Sequence, residues 1–176
     1  MKKIFLIGAA LFAVVVLAGC GDPKPSGAGS PSGKPEAAKP AQVLERFEGV
    51  TVKLNSPAFG HVDGINGVTA PKTGSTVVVG GDKITITGNF VDAVKGVPAA
   101  GVVVMIDGKP YGTVYGGDRP DIAKVLNNPN YLKIQFYVDV PTVAVGTGIH
   151  DLKIRVISAD KSGYFESDWF AKLEVK

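Results

Sequence analysis

Cys20 is the only cysteine of the chain, and no second thiol exists to pair with it. It closes the tetrad Leu17-Ala18-Gly19-Cys20, after a charge-free apolar run from Ile4 to Ala18 that itself follows Lys2 and Lys3. A basic start, an apolar middle and small residues before a cleavage point are the layout of a secretory signal. Elsewhere the residue types that do chemistry are sparse. His61 and Asp63 stand two apart and invite metal or acid–base chemistry, but nothing nearby in sequence completes the three or four ligands a metal site needs. They are read as part of a loop. Nucleophilic catalysis wants an activated Ser or Cys beside a base held by a third group, and the other histidine, His150, stands at a strand start. The acids sit mostly in turns, where Asp normally goes, rather than as a pair facing across a cleft. There is no Walker-type glycine loop and no Cys/His cluster. No catalytic set, cofactor or metal is expected.

One segment stands out for binding. Residues 116–130, GGDRPDIAKVLNNPN, interrupt an otherwise alternating pattern. Arg119 and Asp121, with Tyr115 and Tyr131 close in sequence, form a candidate ligand-contacting patch. The alternative is structural: Asp118 caps a short helix with Pro120 in its first turn, Asp121 completes the cap, and Arg119 pairs locally. Ile122, Val125 and Leu126 would then face the core, and Asn127, Asn128 and Pro129 would end the helix.

The elements that must position these residues read as strands. The chain is 45% hydrophobic and 20% charged, with 23 Gly and 12 Pro among its 176 residues, a turn-rich composition that favours short strands over long helices. Val50, Val52 and Leu54 alternate as a first strand, and residues 57–74 read as an irregular stretch with the turn pairs Asp63-Gly64 and Asn66-Gly67. Strands follow at 76–79 and 82–88. Val102, Val104 and Ile106 lead into Asp107-Gly108, a pair suited to a type I′ hairpin turn, and Pro110 in the returning strand marks a sheet edge. Alternation resumes over 132–140, 152–156 and 169–175. Seven or eight strands at this spacing predict an all-β, immunoglobulin-like sandwich with one short helical insertion; a small closed barrel is the alternative.

The division along the chain is a signal over 1–19, a Pro/Gly/Ser-rich tether over 20–48 and the sandwich over 49–176. Residues 21–41 of the tether carry no large apolar side chain to bury and span roughly 23–27 Å root-mean-square as a random coil. The formal charge of +3 resides in the signal and tether: from Gln42 onward the chain carries fourteen basic and fourteen acidic residues. A nucleic-acid partner would demand a basic face, so none is expected. Without disulfides the fold must rest on its apolar core, which roughly 130 residues can supply.

Two resemblances extend this reading. The tetrad ending at Cys20 resembles the lipobox of bacterial lipoproteins, which implies a diacylglyceryl thioether on Cys20, cleavage before it and acylation of the new amine. At about 0.8 kcal/mol per buried CH₂, two or three acyl chains hold a protein at a membrane almost permanently. An uncleaved spanning helix is the alternative, but it wants about 20 apolar residues. In such lipoproteins an aspartate directly after the cysteine signals inner-membrane retention; here Gly21 intervenes and Asp22 follows, which leans toward an outer membrane if the source has two. Further on, GDKITITGNFVD (81–92), VVVMIDGKPYG (102–112), GGDRPDIA (116–123) and GIHDLKIRVISADKSG (148–163) resemble, in order, a recurring immunoglobulin-like domain of bacterial envelope and secreted proteins. That resemblance implies a non-catalytic module with a structural hydrogen bond from His150. The expectation is a lipid-anchored envelope protein that binds a protein or glycan; a structural subunit or spacer of an envelope assembly is the alternative.

Overall fold

The computed structural model describes residues 47–56 and 58–176. Cys20, the signal over 1–19 and residues 20–46 of the tether lie outside the described residues. Two sheets pack face to face. The first runs β2 (Val68–Thr69), β1 (Phe59–Ile65), β4 (Lys83–Asp92), β9 (Lys133–Pro141), β8 (Val114–Asp118), with β5 (Val97–Pro98) also on β4. The second runs β3 (Thr76–Val79), β11 (Tyr164–Val175), β10 (Gly148–Ile157), β6 (Gly101–Ile106), β7 (Lys109–Gly112). Reading β1, β4, β9 and β8 as A, B, E and D, and β6, β10 and β11 as C, F and G, gives the immunoglobulin strand order. Only β3 on β11 is a parallel pairing among these strands. The described strands number eleven rather than seven or eight, two of them only two residues long.

Period-two alternation places the core. Ile84, Ile86 and Phe90 of β4 and Phe136, Val138 and Val140 of β9 face Val102, Val104 and Ile106 of β6 and Leu152, Ile154 and Val156 of β10, all buried in one cluster. Phe90 and Phe136 lie with ring centroids 6.0 Å apart at 37°, within the tilted range aromatic pairs favour. Gly88 makes room for the Phe136 ring. A Cβ there would stand 2.6 Å from Phe136 Cε1 and 2.5 Å from the His61 carbonyl oxygen.

The structure departs from the sequence reading at four places. Residues 50–54 form no strand: only Lys53 bridges, to Tyr164, with Leu54 N donating to Tyr164 O at 2.8 Å. The first strand is β1, inside the stretch read as irregular. Its inward residues Val62 and Ile65 are three apart because a bulge at Asp63 shifts the register against β4, and a bulge hides period-two alternation from sequence. The helix α1 (Pro120–Val125) has Arg119 at its N-cap position with no side-chain cap; Asp118 ends β8 and pairs with Lys133 at 2.6 Å. Of its apolar residues only Ile122 and Ala123 pack, against Val91, Tyr131 and Ile134, whereas Val125 is 79% exposed and Leu126 is also exposed. Fewer than two helical turns give one contact face, not two. Finally, Phe47 is buried against Val103, Met105 and Ile157 on the outer face of the second sheet, so the sandwich takes in residues assigned to the tether.

Two sequence features recur as read. Asp107 and Gly108 take φ of +49° and +78° in the β6–β7 turn, and β7, carrying Pro110, is an edge strand. A 3₁₀ turn at Pro129–Leu132 and a one-turn helix α2 (Thr142–Val145) complete the connections. Phe136→Ala is expected to cost about 3–5 kcal/mol of stability, and Val125→Ala no more than about 0.5 kcal/mol, as read from urea-unfolding midpoints.

Candidate functional site

The candidate patch does not come together as a surface. Tyr115 spans β8 to β4: its hydroxyl donates to Phe90 O at 2.7 Å and accepts from Ala99 N at 3.1 Å. Burial pushes the phenol well above the usual tyrosine range, the Ala99 hydrogen bond opposing it. Tyr131 is buried with Val91 and Ile134. Both rings are packing, and neither offers a face to a ligand.

Arg119 and Asp121 do meet, in a wider network. Arg119 donates from Nε to Asp121 Oδ1 at 3.0 Å and from Nη2 to Oδ2 at 2.9 Å, a bidentate pair. From Nη1 it donates to Asp63 Oδ2 at 2.6 Å. Asp63 Oδ1 in turn accepts from Asn89 Nδ2 at 3.3 Å and lies 2.8 Å from His61 Nε2. His61 and Asp63, read as loop residues, are therefore two apart on β1, on the same side of the strand, with Arg119 reaching them from the start of α1. The Arg119 side chain is only 15% exposed. Its hydrogen bonds to Asp121 raise the guanidinium further and hold the Asp121 carboxyl down to about 2. The arrangement joins β1, β4 and α1 and leaves Asp63 with both oxygens engaged. No nucleophile stands in it, and among the described residues no group of three His, Cys, Asp or Glu could hold a metal ion. The His61–Asp63 spacing was a sequence signal; its partner Arg119 was not, because β1 itself was masked by its bulge.

His150 is tied down as well. Its Nδ1 lies 2.7 Å from Asp107 Oδ2 and its Nε2 3.1 Å from Gly146 O. The hydrogen bond with His150, then the one from Asp151 N, hold the Asp107 carboxyl below the usual range. The ring thus fixes the β6–β7 turn to the start of β10.

An unanticipated feature lies on the outer face of the second sheet. The pairing of β10 with β11 sets Lys153 opposite Phe170 but Arg155 opposite Glu166, so β11 accommodates two extra residues, Ser167 and Asp168, in a bulge. Beside it the chain segment Lys53–Ser56 leaves a groove of about 700 Å³, lined by Lys53, Asn55, Lys153, Glu166, Asp168 and Phe170 among others. Glu166 sits between Lys53 Nζ at 2.6 Å and Lys153 Nζ at 3.7 Å, and the Lys53 hydrogen bond holds its carboxyl below the usual range. A smaller hollow shares Lys153 and Glu166 with the groove, and a third shares Met105 and Arg155 with the second, so the three run on across the sheet. Arg155 covers the Tyr164 ring at 4.5 Å. Bulges re-aim side chains next to functional sites, and here the bulge places an exposed Phe170 beside charged and hydroxyl groups.

The Arg119–Asp121 pair carries a pH signature. Because the folded-state value of Asp121 lies below the ordinary 3.8, its contribution is complete above that pH and is lost as pH falls toward about 2. Between about pH 4 and 2, Asp121→Asn is expected to lose less stability than the natural chain, while being less stable at pH 6; unfolding midpoints across that range check it.

No family model matches the chain, and no curated protein matches it. Among solved structures, the X-ray structure of the endo-β-1,4-mannanase from Thermotoga petrophila is similar over 69% of this chain and 21% of that one, at 10% identity and a TM-score of 0.39. The chain spans about a fifth of that enzyme's length, and a likeness this distant bears on neither activity nor ligand.

Proposed function

We propose that the protein is a lipid-anchored component of a bacterial cell envelope, tethered through acyl chains on Cys20, whose immunoglobulin-like sandwich is a non-catalytic binding module. The signal layout ending at Leu17-Ala18-Gly19-Cys20 supports the anchor, and the Gly21-Asp22 order favours an outer membrane where two are present. The observation that carries the binding role is the groove over the β11 bulge: about 700 Å³ of concave space with an exposed aromatic ring and converging polar groups, within the about 300–1,000 Å³ of ligand sites. A binding role without turnover fits the histidines, each held against an acceptor.

A second reading is a spacer or structural subunit of an envelope assembly. The burial of Tyr131 and Trp169, and the internal use of the Tyr115 hydroxyl, favour it, since aromatic side chains withdrawn from the surface cannot act as binding anchors there.

The anchor is tested by growing cells with an alkynyl fatty acid. The natural chain is expected to take up label and fractionate with membranes; Cys20→Ser is expected to take up none. The binding role is tested by passing envelope extract over the immobilised full-length protein. Retention of a component by the natural chain but not by Lys153→Glu supports it, and identical retention by both supports the spacer.

A further inference from the structure

Resting on the binding-module reading, the geometry points to a more specific ligand for the β11 groove: we propose that it takes a neutral saccharide chain, one sugar ring lying on Phe170. Charge comes first. The groove is lined by two ammonium groups, Lys53 and Lys153, and two carboxylates, Glu166 and Asp168, which formally cancel. Three of the four are engaged with one another through Glu166. Such a lining selects neither a polyanion nor a polycation, each of which needs a field of one sign.

The floor excludes strand addition by a peptide. It is built on β10 and β11; β10 is paired on both sides, to β11 and to β6, and along the free edge of β11 the carbonyls of Tyr164, Glu166 and Phe170 already accept from Leu54 N, Ala58 N and Gly74 N. A peptide docking as a strand needs unpaired backbone groups, so recognition falls to side chains. Those side chains are of the kind that hydroxyl-rich ligands use. Asn55 supplies an amide and Ser56 and Ser167 hydroxyls, donors and acceptors both, and Asp168 is an exposed acceptor at the bulge. Phe170 is 47% exposed and sits in register with Lys153, with its ring toward the same groove. A pyranose whose hydroxyls are equatorial offers a C–H face to such a ring, whose π-cloud is negative, and a rim of hydroxyls to the groups around it. The hollows that continue past Lys153 and Arg155 give a linear chain somewhere to run.

The test is calorimetric titration of the full-length protein, in a detergent without a sugar headgroup, with cellohexaose and hexa-N-acetylchitohexaose. A heparin hexasaccharide and a ten-residue extended peptide are run alongside. Binding of one or both neutral hexamers is expected, weakened at least tenfold in Phe170→Ala, retained in Phe170→Trp, and with the circular dichroism spectrum of each variant unchanged. If Phe170→Ala unfolds, the Asn55→Ala, Ser56→Ala double variant is expected to show the same loss. Neither hexamer binding, binding insensitive to these variants, or tighter binding of heparin or peptide would overturn the inference. Should the immobilised protein still retain an envelope component through Lys153 while both hexamers fail, the binding module stands and only its ligand class is wrong.

Discussion

No disulfide joins the two sheets of this sandwich. The chain has a single cysteine, at position 20, so beyond the connecting chain and polar contacts such as Asp92 Oδ2 accepting from Ala159 N at 2.9 Å, the sheets are held by the interlocking of their inner faces. Phe90 and Phe136 pack against each other within that contact, and the Phe136 ring fills the space a side chain at Gly88 would take. Each fully buried aliphatic or aromatic side chain contributes about 1.5–3 kcal/mol, against a backbone ordering cost of about 1–2 kcal/mol per residue. The regular inward placement of apolar residues along β4, β6, β9 and β10 follows from this constraint, because a one-residue slip would turn a strand's inner set to the other face.

Alternation that commits one side of every strand to the core leaves the outer faces free, and the two have been used differently. On the first sheet, Asp63, Asn89, Arg119 and Asp121 engage one another across β1, β4 and α1. The outer face of the second sheet is covered at one end by Phe47 and indented at the other by the groove beside the β11 bulge. The segment that leads in from the tether therefore packs on the same face as the groove. The open trough lies on the second sheet and the mutually bonded polar groups on the first, and this divides the candidate binding surface from scaffold.

How much of this was legible follows from how local each signal is. The hairpin at Asp107-Gly108, the edge position of Pro110 and the cores of β4, β6, β9 and β10 are written in neighbouring residues, and they were read directly. β1 was not, because the bulge at Asp63 separates Val62 from Ile65 by an odd interval. The false strand at 50–54 has the opposite cause: alternation without a neighbour, since β11 accepts it only at Tyr164. In the candidate site, Arg119 and Asp121 bond each other, whereas Tyr115 and Tyr131 were grouped with them by nearness in sequence. Tyr115 lies inside β8, and Tyr131 in a 3₁₀ turn folded back onto Val91. The groove could not be seen at all, because it is made by two extra residues in the β10–β11 register and by Lys53–Ser56, a segment far from them in sequence.

The binding surface proposed for this protein is the outer face of the second sheet. A photoreactive phenylalanine derivative installed in living cells at position 170, and separately at position 143, where Val143 on α2 is 91% exposed, tests it most directly. The account predicts an ultraviolet-dependent cross-link to a saccharide-bearing envelope component from position 170 and none from 143. Equal products from both positions, or none from 170, would contradict it.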